Sequence, residues 1–505
     1  MTAKLIPSLL ALGLSAGAWA TTPIPTQAEK TACYAVSHYD DAQVELLADL
    51  VAYKTVHQDG IDNWQAPQFK ALKAKLKDTA SRFGLDFKDM GAVVVIGLGD
   101  GKERLGIVTH GDVQPADASK WTQSPFSLDS TSEPGRLIGR GTEDDKAPIA
   151  TALYAMKAIK DQKLPLKRRI ELIVSLTEES DWAPFEAVLK EWQPPQLNVA
   201  IDSEYPVVVA EKGWGGLWLG FQGKEAATPS TLPRLVDFHG GAFVSQVPED
   251  AVLVVERSTP ALVARLRKRM QKLDGKAHFD LSQQGDKLII KVKGKAAHSM
   301  EPEQGVNAIG YGAQLLKGEE LAPNGPQAVL DFINDQIGLD YYGRHFGKVA
   351  YSNDFMGPLT VNLSTLAVKD GKAELAINLR APAGKSPEQL EQDIRTAIAA
   401  WASNTGEPSP TEKFSLTAAY YPQQPKHADV LLDVFRHYTG QEQAKAVSIG
   451  GGTNARLLPG GINFGPSMPG VAYSGHSEHE FVTRAQMTLN LKMYTAMMAW
   501  LGTRG

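Results

Sequence analysis

Histidine and carboxylate side chains recur in five short clusters along the chain. The clusters are Thr109-His110-Gly111-Asp112, Gly139 to Lys146, Thr177-Glu178-Glu179-Ser180, Asp202, and Ser474 to Glu480. Imidazole nitrogens and carboxylate oxygens without thiolates suit two closely spaced divalent metal ions. Zn²⁺ is the expected occupant, and Mn²⁺ and Co²⁺ remain alternatives because this donor set accepts all three ions. The clusters therefore predict metal-dependent chemistry.

The local sequence indicates how these donors could work together. The carboxylate of Asp112 could accept the second imidazole N–H of His110 and so fix the tautomer of a metal ligand. A carboxylate of the segment from Gly139 to Lys146 could bridge two cations through its two oxygens. Glu178 and Glu179 are adjacent at a predicted strand end and point in different directions. One of them could bind metal while the other holds a water molecule.

The segments around the clusters alternate between strand and helix patterns. The predicted strands are Val93 to Ile96, Leu105 to Val108, Ile170 to Leu176 and Val199 to Ile201, with a helix at Ile149 to Ile159. Strands alternating with helices predict an α/β fold with a doubly wound, mainly parallel sheet. Ligands gather at the carboxyl ends of strands in such sheets. The clusters that contain His110, Glu178 and Asp202 all follow predicted strands.

The pattern changes around Gly213 and returns to the α/β type from about Ala428. Between these points, half-buried alternation such as Lys287 to Val292 and helical spacing such as Pro387 to Trp401 predict a separate α+β domain. The expected organisation is a catalytic domain at 21–212 and 422–505 with an inserted domain at 213–421. The insertion is long enough for two α+β lobes.

The composition limits the classes of partner. The chain has 505 residues, of which 43% are hydrophobic and 22% are charged, and its formal net charge is -5. These values indicate a folded globular protein with no basic field for nucleic acid or anionic lipid, so a small-molecule partner fits better. Cys33 is the single cysteine, so no intrachain disulfide can form.

The first twenty residues have the layout of a secretory signal peptide. Lys4 precedes an apolar run from Leu5 to Ala18, and Ala18-Trp19-Ala20 is a small-residue cleavage site. A membrane anchor is the alternative, but the apolar run is short for a spanning helix. We therefore expect cleavage of residues 1–20, a periplasmic or secreted mature protein, and no stable membrane association after cleavage.

Several motifs occur in an order that is characteristic of one enzyme family. They are His110-x-Asp112, Gly139-Arg140-Gly141-Thr142-x-Asp144-Asp145-Lys146, Glu178-Glu179 and His476-x-x-x-Glu480. In these motifs the chain resembles the co-catalytic di-zinc family of dipeptidases, aminoacylases, desuccinylases and glutamate carboxypeptidases. Further stretches resemble the bacterial PepV-type, carnosinase-like dipeptidases: Trp121 to Phe126, Glu178 to Trp182, Asp202 to Pro206, Met356 to Thr360 and Gly450 to Thr453. The resemblance covers essentially the whole mature chain.

The resemblance implies roles for residues of the catalytic domain. The implied metal ligands are His110, Asp144, Glu179, Asp202 and His476. Asp144 would bridge two ions, Asp112 would orient His110, and Glu178 would be the general base on a metal-bridging water. Asp145 is the alternative to Asp144 as the bridge, and His479 is the alternative to His476. The spacing of the family motifs favours Asp144 and His476.

The resemblance also implies that the inserted domain is a lid. His298 matches the lid histidine that polarises the scissile carbonyl and stabilises the oxyanion, and Arg380 matches the arginine that binds a substrate carboxylate. The chain departs from the family at Ala147, where glycine is usual, and at Ser245-Gln246, where an asparagine often precedes Val-Pro. A lid of this length resembles the type that supplies its histidine within one chain, which favours a monomer.

The predicted function is metal-dependent hydrolysis of the peptide bond in dipeptides or short peptides. The nearest alternative is a deacylase or carboxypeptidase acting on N-acyl amino acids, because it would use the same site chemistry. A non-enzymatic alternative is an exported peptide-binding protein. That alternative is expected to lack Glu178 or a metal ligand, and all of these residues are present.

Overall fold

The computed structural model describes residues 23–224, 230–273, 275–422, 425 and 427–504. The signal-peptide prediction for residues 1–20 lies outside this part of the chain. None of the described helices combines the length and apolar character that are needed to cross a bilayer.

The catalytic domain is built on a mixed eight-stranded sheet. In order across the sheet, the strands are Asp86–Asp89, Val93–Leu98, Arg168–Ser175, Glu103–His110, Leu197–Ala200, Ile462–Asn463, Val208–Glu211 and Val447–Ile449. The four adjacent strands from Arg168–Ser175 to Ile462–Asn463 run parallel. Their inner residues are buried on both faces, as expected for parallel strands covered by helices. The helices of this domain are Thr26–Val51, Pro67–Phe83, Lys146–Asp161, Ala183–Glu191, Ala428–Thr439 and Arg484–Thr503.

The lid has a second eight-stranded sheet, in which every strand pair is antiparallel. Its strands, in order, are His278–Gln284, Lys287–Lys293, Asp250–Glu256, Arg234–Gly240, Thr360–Lys369, Lys372–Ala381, Gly213–Phe221 and Thr411–Leu416. Its helices are Pro260–Leu273, Ala308–Leu316, Gly325–Phe332 and Pro387–Thr405. Strand Asp250–Glu256 alternates between buried and partly exposed residues, as expected when one face of a sheet packs on a core. The lid thus has one continuous sheet with one core, not two lobes.

The chain enters and leaves the lid at adjacent points. Glu211 and Tyr420 exchange backbone hydrogen bonds, with N···O distances of 2.9 Å and 2.8 Å. The catalytic domain and the lid have separate hydrophobic cores. The predicted fold class, an α/β catalytic domain with an inserted α+β lid, is therefore confirmed.

The first helix is longer than its sequence pattern indicates. Helical spacing of large apolar residues begins only near Val44, but the helix begins at Thr26. Its first half buries Ala28, Ala32 and Ala35, which recur at helical spacing. Alanine side chains are small and give a weak apolar signal, so the sequence pattern alone does not indicate this half.

Candidate metal centre and active site

The sheet places three of the predicted clusters at one edge. His110 is the last residue of its strand, Glu178 and Glu179 follow strand Arg168–Ser175, and Asp202 follows strand Leu197–Ala200. These three strands are parallel neighbours, so their carboxyl ends meet at the same edge. This is the position at which open α/β sheets bind ligands.

Two groups of possible ligand atoms share Asp144. The first contains His110, Asp144 and Asp202, and the second contains Asp144, Glu179 and His476, with the atoms of each group within 4.8 Å of one another. His110 Nε2 is 2.7 Å from Asp144 Oδ1 and 3.4 Å from Asp202 Oδ1. His476 Nε2 is 3.0 Å from Asp144 Oδ2 and 2.8 Å from Glu179 Oε1. The two oxygens of one carboxylate therefore face the two groups.

The two alternative residues lie elsewhere. Asp145 is fully buried and accepts a hydrogen bond from the hydroxyl of Thr109. His479 stacks on Trp121, with 5.7 Å between ring centroids. Neither residue belongs to a candidate metal group of the described chain.

Asp112 contacts both His110 and the glutamate segment. Its backbone oxygen is 2.9 Å from His110 Nδ1, whereas its carboxylate oxygen Oδ1 is 3.6 Å from that nitrogen. The carboxylate instead accepts the backbone N–H groups of Glu178 and Glu179, at 3.1 Å and 3.0 Å. The His110 ring is therefore held chiefly by a main-chain oxygen, which leaves Nε2 facing the carboxylates.

The charge balance of this edge suits cations. Among the described residues, the ion-pair partners of Asp144, Glu179 and Asp202 are His110 and His476, with no lysine or arginine. Burial raises the pKa of Asp202 to about 6, although His110 opposes this shift. Burial and then the charge of Asp202 raise the pKa of Glu178 well above its ordinary value, and Glu178 Oε1 is buried without a hydrogen-bond partner. Two imidazoles and three carboxylates without lysine or arginine partners fit two divalent ions.

His298 faces this centre from the lid. It lies in the short strand Ala297–His298, which pairs with Gln246–Val247. The ring centroid of His298 is 6.0 Å from that of His476 and 6.5 Å from that of Tyr473. The backbone N–H of Met300 donates to its Nδ1 at 3.2 Å, so the proton of the neutral ring is on Nε2. Burial, followed by the charge of Arg380, lowers the pKa of His298 well below its ordinary value.

Arg380 is a buried cation without an anionic partner among the described residues. Its guanidinium donates to Asn378 Oδ1 at 2.9 Å, to Ser299 Oγ at 3.1 Å and to Gly450 O at 3.2 Å. All three acceptors are neutral, and two of the five guanidinium N–H groups donate to none of them. Burial lowers the pKa of Arg380 to about 10. A carboxylate from a bound molecule would compensate this charge.

One cavity of about 650 Å³ joins these groups. Its walls include Asp144, Glu178, Glu179, Asp202 and His476 of the catalytic domain and His298 and Arg380 of the lid. Ser245, at one of the departures from the family pattern, also lines the cavity. A cavity of this size is typical of sites for small molecules.

Several residues that hold the centre had no assigned role in the sequence analysis. The indole N–H of Trp182 donates to the backbone oxygen of Glu178 at 2.7 Å, and its ring contacts Trp214 of the lid. Gln114 Nε2 donates to Glu179 Oε2 at 2.9 Å, and the hydroxyl of Tyr473 donates to Asp144. Trp182 is only four residues from Glu178, but the contacts of Gln114 and Tyr473 join residues that are distant in sequence, so no local pattern indicates those two.

Glu480 anchors the loop that carries Asp144. We name residues 139–145 the Asp144 loop and residues 474–480 the His476 loop. Glu480 is fully buried, and its carboxylate accepts the backbone N–H groups of Gly141, Glu143 and Asp144 at 2.8 to 3.0 Å. Arg140 donates to the same carboxylate at 2.7 Å. The fit of Glu480 to the family motif was the only sequence signal for this residue.

Comparison with known proteins places the chain in a family. Residues 106–500 match the model of peptidase family M20/M25/M40, which is more than half of the chain. The chain belongs to this family. It is 29% identical over 406 residues to a Bacillus subtilis protein named as a dipeptidase, covering 78% of this chain and 82% of the relative. A Staphylococcus aureus relative with a similar name is 30% identical over 464 residues, covering 90% of this chain and 95% of the relative. The predicted family and the predicted metallopeptidase class are thus confirmed.

Solved structures share the fold of this family member at low sequence identity. The structure of human carnosine dipeptidase 1 has a TM-score of 0.58 and 15% identity, covering 95% of this chain and 100% of that chain. The structure of Dug1p from Saccharomyces cerevisiae, described as a dipeptidase, has the same TM-score, 12% identity and the same coverage. These similarities support the two-domain architecture.

Proposed function

We propose that this M20/M25/M40 peptidase hydrolyses the peptide bond of dipeptides, using two divalent metal ions and Glu178 as the general base. The observation that carries the proposal is the single cavity in which the shared-carboxylate centre, Glu178, His298 and Arg380 meet. The curated relatives named as dipeptidases support the same substrate class. Zn²⁺ is the favoured ion because imidazole and carboxylate donors suit it.

Glu178 is suited to proton transfer. Bound ions would polarise the substrate carbonyl and lower the pKa of the attacking water. Glu178 belongs to neither candidate metal group, and its Oε1 has no hydrogen-bond partner, so this oxygen is free to accept a proton. Once protonated, Glu178 can return the proton to the leaving amine.

His298 is suited to stabilising the negative charge that develops on the carbonyl oxygen. The Met300 N–H occupies Nδ1, so Nε2–H is the remaining donor of the neutral ring. Because the lowered pKa keeps the ring neutral, it donates without adding a positive charge beside Arg380. A donor fixed in a cavity before reaction stabilises a transition state more than one in water.

Arg380 supports a substrate with a free carboxylate near the scissile bond. Its uncompensated charge and free N–H groups suit bidentate binding of the C-terminal carboxylate. The carboxylate-binding group and the metal centre share one cavity of about 650 Å³, which favours a short peptide.

A substrate panel tests the proposal. The mature chain, residues 21–505, is stripped of metal, restored with Zn²⁺, Mn²⁺ or Co²⁺, and assayed on dipeptides, tripeptides and N-acetyl amino acids. We expect metal-dependent cleavage with the highest kcat/KM for dipeptides and two bound ions per chain. Preference for N-acetyl amino acids would replace the proposal with the deacylase alternative. Tight peptide binding without turnover by the metal-loaded protein would indicate a binding protein.

The role of Arg380 gives a separate prediction. We expect Arg380→Gln to lower kcat/KM for dipeptides by about 30-fold or more, because losing one partner of a buried charged pair costs about 2 kcal/mol or more. The measurement compares each dipeptide with its C-terminal amide. Wild type should prefer the free acid, and the variant should lose this preference. A variant that still prefers the free acid would assign carboxylate binding to another residue.

We also propose that the mature protein is exported and acts as a monomer. The signal-like pattern of residues 1–20 supports export, and cell fractionation tests it. The monomer is supported by the position of His298, whose ring centroid lies 6.0 Å from that of His476 of the same chain. Sedimentation of the active protein as a dimer would contradict the monomer.

A further inference from the structure

Glu143 links the two loops that carry Asp144 and His476. It lies in the Asp144 loop, but its carboxylate holds the His476 loop. Oε2 accepts the backbone N–H groups of Ser474 and Gly475, at 2.6 Å and 3.2 Å, and the hydroxyl of Ser474. Oε1 accepts the hydroxyl of Ser467 at 2.7 Å. Glu480 of the His476 loop anchors the Asp144 loop in return.

These contacts fix the backbone directly before His476. His476 has a φ of 63°, in the left-handed region that residues with a Cβ rarely adopt. Such a conformation persists only where the surroundings hold it. The Glu143 hydrogen bonds to Ser474 and Gly475 supply this restraint on the N-terminal side of His476.

The hydrogen bonds of Glu143 support the ligand positions of one candidate metal group more than those of the other. His476, which belongs only to the second group, lies on the loop that the Glu143 carboxylate holds, whereas Asp144, which belongs to both groups, lies on a loop that Glu480 also anchors. His110 and Asp202, which complete the first group, lie at strand ends and are not among the hydrogen-bond partners of the Glu143 carboxylate. Loss of Glu143 would therefore separate Asp144 from His476. The distance between His110 and Asp202 would not change, because the sheet fixes it.

We propose that Glu143 is a positioning residue that sets the affinity of the ion position formed by Asp144, Glu179 and His476. The inference rests on the proposed two-metal function. It predicts that the two ions respond unequally to substitution of Glu143, although Glu143 is a ligand of neither.

The test is a metal titration of Glu143→Gln, which keeps the shape of the side chain and removes its charge. Metal-depleted protein is titrated with Zn²⁺ in competition with a chromophoric chelator. We expect one ion to bind about 10- to 100-fold more weakly than in wild type, which is typical for loss of a residue that supports a ligand. The other ion should bind within about twofold of wild type. High Zn²⁺ should restore kcat, which damage to the general fold would not allow.

Reference variants identify the affected ion. His476→Ala removes a ligand of the second group, and His110→Ala removes a ligand of the first. The Zn²⁺-binding step that is weakened in Glu143→Gln should be the binding step that is lost in His476→Ala. Glu478→Gln is the matched control, because Glu478 lies in the same loop, is exposed, and pairs with Lys120 at 3.0 Å. It should bind both ions as wild type does.

The outcomes separate this inference from the proposed function. If wild type binds two ions and Glu143→Gln leaves both affinities unchanged, or lowers both equally, the inference alone is overturned. Fewer than two ions in wild type would overturn the proposed function and the inference with it. If Glu143→Gln does not fold, Ser467→Ala removes one of the hydrogen bonds and should weaken the same ion by a smaller factor. Unchanged affinities in Ser467→Ala would then overturn the inference.

Discussion

Glu178→Gln is expected to lower kcat by about 10²- to 10⁴-fold, the usual effect of losing a general base. Glutamine has the size of glutamate but cannot accept the proton of the attacking water. Both ions should remain bound, because Glu178 belongs to neither candidate metal group. The measurements are kcat at saturating dipeptide and the metal content of the same sample.

Thermal unfolding of the metal-free protein provides a second readout for Glu178→Gln. Burial and the charge of Asp202 raise the pKa of Glu178, so its ionised form destabilises the folded state at neutral pH. Glutamine removes this cost, and the metal-free variant should melt at a higher temperature than metal-free wild type.

A Glu178→Gln variant that retains kcat within about threefold of wild type would assign the general base to another group.

His298→Phe is expected to lower kcat by about 10²- to 10³-fold, the effect of losing one oxyanion donor. Phenylalanine keeps an aromatic ring in the cavity but has no N–H. His298→Gln should lose less activity, because its amide can donate a hydrogen bond. Both variants should bind two ions, since His298 lies in the lid and in neither metal group.

The kinetic pattern of the His298 variants distinguishes catalysis from binding. A fall in kcat with little change in KM indicates an interaction that strengthens in the transition state. A raised KM with unchanged kcat in His298→Phe would instead make His298 a substrate-binding residue.

The catalytic half of the fold follows closely from sequence patterns. The central strands are buried on both faces, so their apolar runs are continuous and easily recognised. The lid was harder to predict in detail. Its expected two lobes are one sheet, because the pairing of Arg234–Gly240 with Thr360–Lys369 joins strands more than 100 residues apart. Alternation along a strand shows which face is buried but not which strand is its neighbour.

The sequence also indicated which residue types surround the centre, but not every contact among them. Asp112 shows the difference. Its spacing from His110 predicted a hydrogen bond between the carboxylate and the imidazole, whereas the carboxylate lies 3.6 Å from Nδ1 and accepts the backbone N–H groups of Glu178 and Glu179. A two-residue spacing allows either arrangement, and the position of the neighbouring strand end decides between them.

The sequence by itself determined that His110, Glu178, Glu179 and Asp202 lie together, because parallel strands bring their carboxyl ends to one edge of a sheet. Tertiary structure decided what the loops and the lid add. It placed Asp144 and not Asp145 in both candidate metal groups, brought the ring of His298 within 6.0 Å of the ring of His476, and directed the carboxylate of Glu143 to the opposite loop. The physical reason is that strand ends are positioned by regular hydrogen-bonded registers. Loop side chains are directed by contacts with other segments, 36 residues away for Asp145 and Thr109 and 331 residues away for Glu143 and Ser474, which no local spacing encodes.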